Sequence, residues 1–205
     1  MEEMKRASKG GSSEIVIKKS RFLGITAPAE TPEEAAQFVT GIKKKYYDAR
    51  HNCYAYVLGD NCDVLKYSDD GEPQGTAGKP MLDVLKNSGI TNIVVVVTRY
   101  FGGVLLGTGG LVRAYTEAAK LAVEDTKVQL VRQMQKVEIR TEYSELSKLQ
   151  YLIAEMGIDE PEVLYSDKID MMVAAPQTLV ELLCNKVTEL TKGKALVKMG
   201  EKYIG

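Results

Sequence analysis

A chain of 205 residues with 44% apolar and 27% charged side chains has the composition of an ordinary soluble globular protein, long enough for one large domain or two small ones. Its net charge of −1 divides as 18 Lys and Arg against 16 Asp and Glu over 1–134, and 9 against 12 over 135–205, an asymmetry too small to signal nucleic-acid binding by itself. Apolar runs such as Ile93 to Val97, five residues, fall far short of the roughly 20 of a membrane helix, so no membrane association is expected.

The opening MEEMKRASKG mixes charges without an apolar core. It reads as a frayed polar start and not as a secretory signal, which makes a cytoplasmic location the expectation. Cys53, Cys62 and Cys184 are odd in number and widely spaced, the pattern of reduced thiols and not of a disulfide framework or zinc site. Glu14 to Ala29 alternates as two strands or one bent strand. A helix then starts at Thr31 as cap, with Pro32 at its first position, Glu34 completing a capping box, and Ala35, Phe38, Val39, Ile42 and Tyr46 as its apolar stripe. Lys43, Lys44 and Lys45 close it, favoured there by the helix dipole, with phosphate binding as the alternative.

His51 to Leu58 and Val64 to Tyr67 read as a hairpin. The period of two puts His51 and Cys53 on one strand face; a thiol beside a base admits nucleophilic catalysis, against the plainer reading of a packed cysteine with a hydrogen-bonded neighbour. Asp69, Asp70 and Glu72 form an acidic turn, either as metal ligands or as turn-forming acceptors of N–H groups. Past Gln74–Gly78 a short helix carries Pro80 in its first turn and Met81, Val84 and Leu85 inward, and stops at Gly89. Asn92 to Thr98 is a strand buried on both faces.

That strand delivers Arg99, Tyr100 and Phe101 to Gly102-Gly103 and then Gly107-Thr108-Gly109-Gly110, from which a helix runs to about Asp125. Nine of the 18 glycines fall between Asp69 and Arg113. Strand, glycine loop and helix together can point backbone N–H groups and a positive dipole end at an anion. Arg99 and Arg113 bracket the loop and Lys79 opens the nearby helix, so three cations are expected to converge. The candidate anion- or nucleic-acid-binding set is Lys79, Arg99, Tyr100, Gly102, Gly103, Thr108, Gly109, Gly110 and Arg113. The weak catalytic candidates are His51, Asp69 and Asp70. The segment fits neither GxxxxGK[ST] nor GxGxxG, and no cofactor or metal is assigned.

The runs DDGEPQGTAGKP and VVVTRYFGGVLLGTGGLVRAY, with KSRF at 19–22 and HNCYAY at 51–56, closely resemble the IMPACT/YigZ family over about 14–125, with RYFGG-x-x-LG at 99–107 as its signature. The resemblance implies an α+β protein whose N-terminal domain (1–130) has a ribosomal protein S5 domain 2-like α/β fold. In bacterial members a ferredoxin-like domain similar to the C-terminal domain of elongation factor G follows, here 135–205. It also implies a part in translation, since eukaryotic relatives restrain the general-control kinase pathway by competing for its ribosome-associated activator.

The remaining chain fits that division. Thr126 to Gln135 reads as the junction, Val137 to Arg140 as a strand, and Ser144 as the cap of a helix with Leu146, Leu149, Leu152, Ile153 and Met156 inward. Strands near Glu162–Tyr165 and Ile169–Ala174, a helix led by Pro176 with Leu179, Leu182, Leu183, Val187 and Leu190 inward, and a closing strand at Leu196–Met199 give the order βαββαβ. The functional expectation is recognition and not catalysis: a non-enzymatic RNA- or ribosome-associated protein. The alternatives are an enzyme acting on a nucleotide or phosphorylated small molecule, and a protein–protein adaptor in translational stress signalling.

Overall fold

A computed structural model describes residues 3–205; Met1 and Glu2, the first two residues of the expected frayed start, lie outside the described residues. The chain divides into two α+β units, Met4–Leu130 and Val131–Gly205 together with Glu3.

The first unit begins with a strand where fraying was expected. β1 (Met4–Lys9) pairs in parallel with β6 (Ile90–Thr91), and β8 (Lys127–Val131) lies on its other side. Ala7 is buried, and Arg6 reaches Asp60 at 3.1 Å and Glu30 at 3.4 Å. These partners are distant in sequence, which explains why local composition gave no sign of the strand.

The main sheet is antiparallel, in the order β2 (Ser12–Ile17), β3 (Ser20–Pro28), β7 (Ile93–Tyr100), β4 (His51–Leu58), β5 (Val64–Ser68). β7 is central because its run of β-branched residues is buried on both faces. Ile93, Val95 and Val97 pack beneath α2 (Gly78–Ser88) and α3 (Thr108–Asp125), while Val94 and Val96 pack against α1 (Pro32–Lys45). α1 starts as its sequence dictates: the Glu34 N–H donates to Thr31 Oγ1 at 3.2 Å. The Glu34 carboxylate reaches back to the Glu30 N–H at 2.8 Å, one residue before the cap. Gly89, in left-handed conformation, ends α2.

The second unit is a four-stranded antiparallel sheet in the order β10 (Glu162–Tyr165), β11 (Ile169–Pro176), β9 (Gln133–Thr141), β12 (Leu196–Ile204). α4 (Leu146–Glu155) and α5 (Val180–Leu190) follow β9 and β11, so the chain order is βαββαβ. Val137, Ile139, Ile169, Met171 and Val173 meet Leu149, Ile153, Leu183 and Val187 in one core. Three local expectations are corrected. The Thr126–Gln135 junction consists of the strand β8 and the start of β9. Both helices are entered through 3₁₀ turns, Tyr143–Glu145 and Gln177–Leu179, so Ser144 does not cap α4 and Pro176 ends β11 instead of leading α5. Leu182, 47% exposed, and Leu190, 38% exposed, are not inward.

Candidate functional site

Register places the candidates at one end of the main sheet. Arg99 pairs with Phe22 on β3 and with His51 on β4, and Tyr100 pairs with Arg21. The turn after β5 returns to the same end, because the Cys53 thiol donates to the Asp69 carbonyl at 2.9 Å and His51 Nδ1 lies 2.9 Å from the Asp70 carbonyl. A carbonyl only accepts, so the His51 proton is on Nδ1.

The acidic turn is held by its own carboxylates. Asp69 accepts the N–H groups of Gly75 (2.8 Å), Ala77 (3.0 Å) and Gly78 (2.8 Å), which makes it an internal anion at the start of α2. Asp70 accepts the Asn52 N–H at 2.7 Å and the Lys43 ammonium at 2.5 Å. Cys53 is fully buried, and desolvation pushes its thiol well above the ordinary range, which makes it a poor nucleophile. Among the described residues, no cluster of three or more His, Cys, Asp or Glu is arranged to hold a metal ion.

Glu72 joins the two glycine-bearing segments. Its side chain is only 3% exposed, and one oxygen, Oε1, accepts Arg99 Nη1 at 2.7 Å and the Tyr115 hydroxyl at 2.9 Å. Arg99 is therefore interior. Its guanidinium lies 5.6 Å from the Phe22 ring centre and 5.5 Å from that of Phe101, and its Nε has no hydrogen-bond partner among the described residues. Of the three cations expected to converge, Arg99 is met by Glu72, Lys79 is bonded to Asp83 at 3.1 Å, and Arg113 is exposed without an ion-pair partner among the described residues. Tyr100 is half-buried and donates its hydroxyl to Asp48 at 2.8 Å; burial and that bond raise its pKa.

The loop between β7 and α3 is exposed, with Phe101 at 48%, Val104 at 42% and Leu105 at 82%. Gly102 fixes its base: its N–H donates to Ser20 Oγ at 3.1 Å, and a Cβ there would stand 2.0 Å from the Lys19 carbonyl carbon. That contact brings two further cations, in a segment whose basic residues Lys18, Lys19 and Arg21 already favour RNA binding in the sequence, to the same end of the sheet. Lys18 and Lys19 form the β2–β3 turn, both exposed, unpaired among the described residues and at positive φ (46° and 66°). No side chain caps α3, and the amides of Thr108, Gly109 and Gly110 have no partner among the described residues. Arg113 folds back over this end, its Nη1 3.8 Å from where a Gly109 Cβ would be.

Residues 18–123 match the Impact N-terminal domain family. The chain is also 39% identical over 191 residues to the IMPACT family member YvyE of Bacillus subtilis, a match covering 93% of this chain and 88% of the relative. The chain belongs to the IMPACT family. The IMPACT family member YigZ of Escherichia coli is 38% identical, with 86% of this chain and 88% of YigZ covered. Protein IMPACT of Oryctolagus cuniculus is 36% identical over 98 residues, 45% of this chain and 30% of that protein. The likeness to bacterial IMPACT members thus spans both units, while the match to the eukaryotic protein is far shorter. Residues 139–194 match a domain family of unknown function, DUF1949. A solved structure described as a hypothetical protein covers 96% of this chain and 97% of its own at 35% identity and a TM-score of 0.64. Among the described residues, no helix is long and apolar enough to cross a membrane.

Proposed function

We propose that this IMPACT-family chain is a non-enzymatic, cytoplasmic RNA- or ribosome-associated protein acting in translation, and that it holds phosphate groups on the glycine-rich end of its first unit. In this reading the first unit has the ribosomal protein S5 domain 2-like fold and the second, from its strand order, the ferredoxin-like one. The observation that carries the proposal is the separation of charge at this end. Asp48, Asp69, Asp70 and Glu72 are all engaged by protein groups, whereas Lys18, Lys19 and Arg113 are exposed and unpaired among the described residues. Cations free of partners and open backbone amides suit phosphate oxygens, which position a nucleic acid without reading its sequence.

Arg99, Tyr100, Gly102 and Gly103 act from behind, fixing the loop, while Thr108, Gly109, Gly110 and Arg113 face the ligand, with Lys79 contributing at the start of α2. The engagement of Asp69 and Asp70 by backbone N–H groups, with Lys43 also on Asp70, favours recognition over turnover of a phosphorylated substrate. Cosedimentation with ribosomes and binding to RNA at rising salt test this. Binding should weaken steeply with salt, and the Lys18→Ala/Lys19→Ala and Arg113→Ala variants should each bind more weakly with a shallower salt dependence. No binding to RNA or ribosomes at low salt would overturn the proposal.

A further inference from the structure

We infer that the RNA taken at this end of the sheet is single-stranded, with one unpaired base stacked on the outer face of Phe101. The inference rests on the phosphate-binding reading above and adds the class of RNA and the residue that selects it. Phe22, the Arg99 guanidinium and Phe101 form a column from the core to the surface, with the guanidinium 5.6 Å and 5.5 Å from the two ring centres. Its lower end is fixed: Phe22 is fully buried and meets Tyr115 edge-on at 5.2 Å, and Glu72 holds Arg99 at 2.7 Å. Its upper end is an aromatic ring 48% exposed to water.

A phenyl ring has no polar atom to make that exposure useful, yet this one has a buried cation 5.5 Å from its centre. The next two residues carry no side chain: Gly102 is pressed onto the Lys19–Ser20 backbone, and a Cβ at Gly103 would meet nothing within 4 Å. The open side of the ring thus accepts a flat, apolar-faced group, and the unpaired cations Lys18 and Lys19 sit across the Gly102 contact from it. A nucleobase flanked by phosphates has both features. Bases within a duplex keep their faces stacked on one another, so only an unpaired base can reach the ring.

The test uses the full chain and a fluorescein-labelled 12-nucleotide oligouridine, alone or annealed to oligoadenine, in anisotropy titrations at low salt. A 2-aminopurine placed in the strand reports stacking through quenching. The single strand should bind at least roughly tenfold tighter than the duplex. Phe101→Ala and Phe101→Leu should each lose roughly tenfold or more on the single strand with no change on the duplex, and should abolish the quenching. Phe101→Trp should restore both. Phe101→Leu keeps an apolar side chain over Arg99, so it reads stacking even if the alanine variant is unstable. Equal affinity for the two forms, or wild-type binding and quenching by Phe101→Leu, overturns the inference while leaving phosphate binding intact. No binding of either RNA overturns both.

Discussion

Glu72 holds two hydrogen bonds on one oxygen, and its removal strands a buried guanidinium. Breaking a buried ion pair from one side costs about 3–5 kcal/mol, so Glu72→Ala should lower the urea-denaturation free energy by that amount. Tyr115→Phe should cost about 1 kcal/mol in the wild-type background and almost nothing once Glu72 is alanine, because the two losses share an acceptor. Three acids in four residues read in the sequence as one solvated turn. Nothing in their spacing distinguishes the buried Glu72 from Asp69 and Asp70, since its burial depends on Arg99 and Tyr115, 27 and 43 residues away. Burial also raises the pKa of Cys53 and of Tyr115. Both stay protonated in the folded state at pH values where the unfolded chain ionises. Stability is therefore fully present below the unfolded values and falls as pH rises above about 8.5 for the thiol and about 10 for the phenol. Denaturation at stepped alkaline pH should show the decline, and Tyr115→Phe should flatten its upper part.

At the scale of elements, the β2–β3 turn places two consecutive lysines at positive φ, where side chains other than glycine are disfavoured. Lys19→Gly should relieve this and stabilise the protein by up to roughly 1 kcal/mol, a rise of a few degrees in Tm, while weakening RNA binding through the lost charge. A turn that trades stability for exposed charge was not visible from KKS alone, because lysine carries no turn signature. The start of α1 was legible because Thr31, Pro32 and Glu34 act on neighbours, although the Glu34 carboxylate meets the Glu30 amide and not that of Thr31. The start of α2 was not: the carboxylate that meets its first amides belongs to Asp69, nine residues before Gly78 and too distant in the chain to read as a local cap. Asp69→Ala should cost roughly 1–3 kcal/mol by leaving the Gly75, Ala77 and Gly78 amides unmet, measured by thermal unfolding.

For the whole molecule, each unit carries its own core; periodicity marked the strands and helices that build both, because β-branched strands and amphipathic helices announce their burial directly, while the division into two domains came with the family resemblance. What periodicity could not supply was β1, whose partners lie more than eighty residues on, or the inward course of Arg99, a charged residue at the end of an apolar strand. Leu149→Ala, at a fully buried position of the second unit, should cost about 2–5 kcal/mol in unfolding of that unit and leave RNA affinity at the first unchanged, as read by calorimetry and anisotropy. β7 has a consequence for how the first unit opens. Its alternate side chains belong to both packed layers, so its backbone amides can exchange with solvent only when both layers have come apart. Val94 to Val97 should therefore be the slowest-exchanging amides of the unit. Phe101 stands four residues beyond them, which tethers a solvent-facing ring to the segment of the unit that opens last.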